Sequence, residues 1–260
     1  EASGRTFSMI SPHTLWSHND SGRNTDLFAL SDEGEHLGTI KLGIESNDLE
    51  DIDIAHCPHL ERYCIWLGDV GDNSLSRDQI KLWVVPEPPA TLPFETIELN
   101  QESSEQQRLE IILTLEDGPA DIEALAVEQD GQTVWFFEKY QGGLSRVWAL
   151  DLTDQDLSSI EEDSSILRAS LMTEFQAPGI PIEHGQKITA ADFSPDGERL
   201  LIRVYTGIYE YIFSEPYALD ELSTLTPSLV TLGPLSEPQG EALSYGWRGE
   251  GIWSISESPQ

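Results

Sequence analysis

The sequence predicts an all-β protein: a single five-bladed β-propeller of four-stranded antiparallel blades, the last of them incomplete. Helix-period patterns are scarce, whereas short β-rich runs punctuated by Gly, Pro, Asn and Asp recur throughout. The decisive observation is a pair of strand motifs that returns in five copies, the signature of a repeat architecture.

The clearer motif is an apolar residue and Trp followed by alternating residues: LWSHND at 15–20, IWLGD at 65–69, VWFFEK at 134–139 and IWSISE at 252–257. LIRVYT at 201–206 is a fifth copy without the Trp. Each is preceded by a shorter unit, EASG at 1–4, DLEDI at 48–52, DIEAL at 121–125, TAADF at 189–193 and QGEAL at 239–243. Their first positions are separated by 47, 73, 68 and 50 residues, which is blade spacing with insertions in the second and third units. A third strand follows in four units, as DLFAL at 26–30, KLWVV at 81–85, RVWAL at 146–150 and IYEYI at 208–212. Outer strands are expected at Leu37–Leu42, Leu109–Leu115, Ile166–Met172 and Ser228–Leu232. The blades then run approximately 1–47, 48–120, 121–188, 189–238 and 239–260 of one domain. Pro86–Pro93 reads as an extended linker inside the second blade and Asp151–Ser165 as a polar excursion from the third. A ring explains the copies because each sheet buries its faces only by stacking on its neighbours; a β-sandwich would not require five of them.

Charge narrows the function. Lys and Arg number 14 against 47 Asp and Glu, a formal net charge of −33, with lysines only at 41, 81, 139 and 187. Such a surface repels nucleic acid and anionic lipid. Because the acidic residues are spread along the chain, the plain reading is a solvated surface suited to a saline habitat; the sharper one is that part of the charge holds cations. No apolar run approaches a membrane span. The sequence opens at Glu1 without Met or a signal segment, so the start is expected to have been removed. The protein is expected to act as a monomer. Cys57 and Cys64, the only cysteines, flank a turn in HCPHLERYC. A disulfide is the favoured reading and implies an oxidising compartment; a metal site with His56 and His59 is the rival, but its spacing matches no standard zinc pattern.

Propeller topology brings the starts of the innermost strands and the ends of the second strands to one face. Glu50, Asp51, Asp69, Glu123, Asp192 and Glu241 are therefore the candidate metal ligands, and hard oxygen donors in that number favour Ca²⁺. Without a cation, such carboxylates raise one another's pKa; the alternative is a ring capped by backbone amides and water, with Lys139 and Arg203 as counterions. Glu50, Asp69 and His18 are the candidate catalytic groups, His18 being equally readable as a structural hydrogen-bonding residue. Asn19, Asp20, Asn73, Lys139, Arg203 and Tyr205 are candidate contacts for a small molecule or glycan at the channel mouth. The turn GDVGDN at 68–73 has donors for a cation but lacks EF-hand spacing, whereas SPDG at 194–197 and SDEG at 31–34 read as hairpin turns on the opposite face. Trp16, Trp66, Trp135 and Trp253 form a column expected to pack between blades. GxSxG, Walker, HExxH and Rossmann signatures are absent.

HNDSG (18–22), NDLEDI (47–52), GDVGDN (68–73), DGPADIEAL (117–125), TAADFSPDG (189–197) and EPQGEAL (237–243) together resemble the motif set of bacterial extracytoplasmic β-propellers grouped as phytase-like or esterase-like, mostly of unassigned activity. The resemblance spans nearly the whole chain. It implies a propeller exported to the periplasm or medium with its acidic motifs at the channel mouth; the calcium motifs of authentic β-propeller phytases are matched by short acidic segments. The functions open at this point are a calcium-dependent hydrolase of a phosphoester, ester or lactone, a non-catalytic binding or scaffold propeller with a structural channel cation, and a glycoside hydrolase using a carboxylate pair across the channel.

Overall fold

The computed structural model describes residues 2–19, 25–59, 61–88, 96–98, 108–139, 142–155, 165–230 and 240–256. The first repeat unit forms β1 (Ala2–Phe7), β2 (Thr14–Asn19), β3 (Asp26–Ser31) and β4 (His36–Lys41), hydrogen-bonded in that order. The second forms β5 (Leu49–His56), β6 (Tyr63–Asp69), β7 (Ile80–Pro86), β8 (Thr96–Glu98) and β9 (Leu109–Leu115). The third forms β10 (Ile122–Val127), β11 (Thr133–Glu138), β12 (Leu144–Asp151) and β13 (Leu167–Gln176), and the fourth β14 (Ile188–Phe193), β15 (Arg199–Val204), β16 (Gly207–Ile212) and β17 (Ser228–Val230). The fifth contributes β18 (Gly240–Tyr245) and β19 (Ile252–Ser256). Within each unit successive pairings are antiparallel, and the helical content of the described residues is two short 3₁₀ turns. No described helix is long and apolar enough to cross a membrane.

The apolar faces are buried between successive sheets. Trp16, Leu27 and Ile40 of the first pack with Ile52, Ile65 and Leu67 of the second; Trp66 and Leu82 of the second pack with Leu125, Phe136 and Trp148 of the third. Phe137 and Val147 of the third meet Ile202 and Tyr211 of the fourth, whose Ala190 and Leu201 meet Leu243 and Tyr245 of the fifth. Strand β1 packs on β5, β5 on β10, β10 on β14 and β14 on β18, and β18 packs back on β1. Phe7 and Trp253 meet edge to face across that last junction, with ring centroids 5.5 Å apart. Stacked sheets whose first strands return on themselves make a β-propeller. Of the Trp column, Trp16, Trp66 and Trp135 are buried as expected, while Trp253 is partly exposed.

The insertions are more than blade-edge material. Thr96–Glu98, beyond the proline-rich segment, adds β8 in parallel to β4, so the first sheet has a fifth strand. Likewise, β13 pairs in parallel with β9 through Leu167–Leu113, which fuses the second and third units into one eight-stranded sheet. Cys57 and Cys64 are bonded to each other, with Cα atoms 4.8 Å apart, so the alternative metal site with His56 and His59 does not form.

Every first strand carries a one-residue bulge near its start. The pairing register shifts between Ala2 and Gly4, Leu49 and Asp51, Ile122 and Ala124, Ile188 and Ala190, and Gly240 and Ala242. Ser3, Glu50, Glu123, Thr189 and Glu241 are thus equivalent positions. This register corrects one alignment made from sequence: the fourth unit begins at Lys187, two residues before Thr189. Asp192 consequently matches Asp53, three residues past the bulge, and not the acidic residues at the strand starts.

Candidate functional site at the bulge ring

A bulge re-aims a side chain that a regular strand would send to one face. Here five bulges place Ser3, Glu50, Glu123, Thr189 and Glu241 around one end of the channel. The two hydroxyls brace neighbouring strands: Ser3 Oγ donates to the Glu50 carbonyl at 2.9 Å and Thr189 Oγ1 to the Gly240 carbonyl at 2.8 Å. The three glutamates are buried and face Lys139, delivered just past the end of β11. Lys139 Nζ lies 2.7 Å from Glu123 Oε2 and 5.5 Å from the centroid of the Tyr205 ring.

The electrostatics separate the roles of these groups. Burial, then the charges of Glu123 and Asp48, push the Glu50 carboxyl up to about 10, so it keeps its proton at neutral pH. Burial also raises Glu123, but Lys139 opposes it by charge and hydrogen bond, and Glu123 settles at about 7. Burial works against the Lys139 ammonium, yet Glu123, Tyr205 and Glu241 outweigh it and Lys139 remains charged. Burial pushes the Tyr205 hydroxyl up to about 12, keeping it neutral and able to donate. The arrangement is a proton-bearing carboxyl beside a carboxylate poised near neutrality, with one ammonium and one phenol in reach.

The adjoining turn GDVGDN is a fixed wall. Asp69, fully buried, accepts the N–H groups of Asn47 and Asp48 at 3.1 and 2.9 Å and pairs with Arg77 at 3.0 Å. Arg77 also donates to the carbonyls of Gly71 and Asp69. Burial acts to raise the Asp72 carboxyl, but bonds from the Ser76 and Arg77 N–H groups and the Ser74 and Ser76 hydroxyls bring it below the usual range. The Asp72 N–H donates to Asp121 Oδ1 at 3.1 Å, tying this turn to the next unit. Gly71 sits against the carboxyls of Glu50 and Asp48, where a Cβ has no room.

The six carboxylates expected to share an ion therefore separate. Glu50, Glu123 and Glu241 share the mouth; Asp69 is consumed by the turn. Asp51 accepts Ile52 N–H at 2.9 Å and, across the channel-side edge, Leu125 N–H at 3.0 Å. Asp192 accepts Tyr245 N–H at 2.6 Å and lines a cavity at the far end of the channel. Inner strands of adjacent sheets do not share a ladder, so their edge N–H groups need acceptors, and these aspartates supply them. Among the described residues no three His, Cys, Asp or Glu side chains are arranged to hold one metal ion. His18 is fully buried against Gly4 with Nδ1 3.1 Å from the Asn19 carbonyl, the setting of a structural residue. The Arg203 guanidinium lies against Gly240 beside the bulge ring. Asn19 and Asn73 are exposed; Asp20 lies outside the described residues.

No family model and no curated protein matches this chain. Among solved structures it is similar to U3-55K (12% identity, TM-score 0.45, 97% of this chain), to the RRP9 WD40 repeats (12%, 0.45, 97%) and to a candidate 6-phosphogluconolactonase from Bacteroides fragilis (15%, 0.43, 94%). The chain spans 59–60% of the length of these three. At that level of likeness none lends this chain its blade number, ligand or activity.

Sequence reasoning overlooked Arg77 and Lys187. The signal for Arg77 was a lone basic residue after GDVGDN; that for Lys187 was the correct register of the fourth unit, which makes it the equivalent of Asp48 and Asp121 and a favourable charge toward Asp121. The bulges had no sequence signal, because a bulge is a relation between two strands.

Proposed function

We propose that this chain is a single-domain five-bladed propeller, exported to an oxidising compartment, whose bulge-ring mouth hydrolyses an uncharged, hydroxyl-rich substrate by proton transfer, a glycoside fitting best. The reading rests on one cluster: Glu50 and Glu123 are buried at the same mouth with Lys139 Nζ 2.7 Å from Glu123, a setting that favours the proton on Glu50 and the charge on Glu123. Glu50 is the proton donor to the leaving oxygen and Glu123 the partner that assists water or attacks, the division of labour that paired carboxyls with separated pKa values perform. Tyr205 and Lys139 are placed to orient hydroxyl groups. Phosphoesters are disfavoured because the carboxyls of Asp48, Glu50, Asp121, Glu123 and Glu241 outnumber the ammonium groups of Lys139 and Lys187 that act on them.

The test is a panel of chromogenic glycosides, esters and lactones. Activity should follow a bell-shaped pH profile belonging to the coupled pair, and Glu50→Gln and Glu123→Gln should each reduce kcat by about 10²-fold or more. Hydrolysis retained by both variants refutes the assignment; ligand binding without turnover makes the mouth a binding site.

Calcium is the second reading, favoured by the same crowd of carboxyls. The donors have the right chemistry, but the described side chains do not preform a coordination sphere. No step above depends on the ion.

A further inference from the structure

Three to four residues beyond the bulges, some 10 to 13 Å along the inner strands at about 3.3 Å per residue, a cavity of about 40 Å³ opens at the opposite end of the channel. It takes no part in the chemistry of the mouth. Asp53 from β5 and Asp192 from β14 line it, together with Phe193, Tyr217, Tyr245 and Trp247. Both oxygens of Asp53 accept backbone N–H groups, from Ile54 and Val127 at 2.6 Å each, which fixes that carboxyl in place. Burial, and after it the charge of Asp53, holds the Asp192 carboxyl well above its ordinary value. The walls are equally fixed: Phe193 and Tyr217 meet edge to face at 4.9 Å, Tyr217 Oη accepts the Gln129 N–H, and Tyr245 Oη donates to Glu210.

Two carboxyls amid aromatic walls select the ligand's charge. An anion would meet both aspartates. A hard metal ion needs about six or more convergent oxygens, and among the described residues no three His, Cys, Asp or Glu side chains are arranged to hold one. An organic cation satisfies both features, since its charge favours ionisation of Asp53 and Asp192, which burial opposes, while its alkyl groups pack on ring faces that attract positive charge. The chain itself shows this preference. Arg248, exposed and itself part of the cavity's lining, has a positive φ of 61° and holds its guanidinium over the Trp247 indole, 4.2 Å from the centroid. That guanidinium is a tethered stand-in for a free ammonium. Arg5 stands over Phe7 and Trp253 and attracts Asp192, and Arg199 stands over the Tyr245 ring, 5.1 Å from its centroid. The net charge of −33 further enriches cations around the molecule.

We infer that this cavity binds a small organic ammonium ion, with Asp53 and Asp192 facing its charge and Trp247, Tyr217 and Tyr245 enclosing its alkyl groups. The room available suits a group of a few heavy atoms, such as a methylated amine.

The experiment titrates the whole protein with methylammonium, trimethylammonium and tetramethylammonium at constant ionic strength, reading tryptophan emission and calorimetric heat, with sodium and neutral tert-butanol as comparison solutes. Saturable binding of at least one ammonium, absent for sodium and tert-butanol, is expected. Trp247→Leu, at the rim, should weaken it about tenfold, and Asp192→Asn at least as much. Glu50→Gln, at the other end of the channel, should leave it unchanged, which separates this site from the proposed hydrolase. If Asp192→Asn fails to fold, Trp247→Leu and the ammonium-to-tert-butanol contrast decide the matter. An equal response to sodium or tert-butanol, no saturation, or full affinity in Trp247→Leu overturns the inference, as does binding of a neutral sugar there in place of the ammonium.

Discussion

Glu50→Gln should make this protein more stable at neutral pH and less so relative to wild type as the solution is acidified. The unfolded chain holds Glu50 near 4.5, whereas the fold holds it near 10. A carboxyl raised in the folded state contributes fully below its unfolded value, and that contribution is lost as pH rises toward the folded value. At pH 7, about 2.5 pH units above the unfolded value, retaining the proton costs up to about 3.4 kcal/mol at about 1.36 kcal/mol per unit. Glutamine keeps the shape and neutrality of the protonated carboxyl without that cost. With an unfolding entropy of about 0.55 kcal/mol/K for a chain of this length, the variant should melt up to about 6 °C above wild type at pH 7. The gain should shrink steadily toward zero near pH 4.5. Thermal unfolding followed by circular dichroism from pH 4.5 to 8 at fixed ionic strength measures both. A Glu50→Gln protein that melts below wild type at pH 7, or a difference independent of pH, would refute the placement of a buried protonated carboxyl at the mouth. Stability gained together with activity lost is the signature of a residue kept for function.

The remaining predictions concern the frame around that mouth. Removing Asp51 with Asp51→Ala deprives the buried Leu125 and Ile52 N–H groups of their acceptor and should cost about 2–4 kcal/mol, seen as a lower denaturant midpoint; a loss below about 0.5 kcal/mol would mean that water replaces it. Reducing the Cys57–Cys64 disulfide should lower stability by about 2–3 kcal/mol, and thiol titration of the unfolded, unreduced protein should find no free thiol. Withdrawing monovalent salt should lower the melting temperature, because the Debye length grows from about 8 Å at 0.15 M to about 30 Å at 0.01 M and exposes more of the −33 charge to itself; a constant melting temperature would indicate local compensation. Under the calcium reading, chelation should lower the melting temperature and calcium should restore it better than magnesium, with Glu123→Gln and Glu241→Gln blunting the response; calorimetry without any calcium heat after exhaustive chelation ends that reading.

The sequence by itself determined the repeat, the strands and the crowding of acidic residues toward the starts of the inner strands. Strand periodicity and turn chemistry are local, so Leu109–Leu115 and the Trp-bearing strands were readable from neighbouring residues alone, as was the short loop that lets Cys57 reach Cys64. Tertiary structure decided which carboxyl does what. Glu50 and Asp51 are adjacent in the chain, yet one bulge turns Glu50 toward Lys139 while Asp51 is held by Leu125 of the next sheet. Asp192, two residues out of register in a reading by similarity, belongs with Asp53 at the far end of the channel. Cross-sheet acceptors join residues 53 to 74 positions apart, and the aromatic cavity draws on residues from Thr6 to Arg248. Local pattern cannot carry them, because they arise only when the first strands meet around one axis.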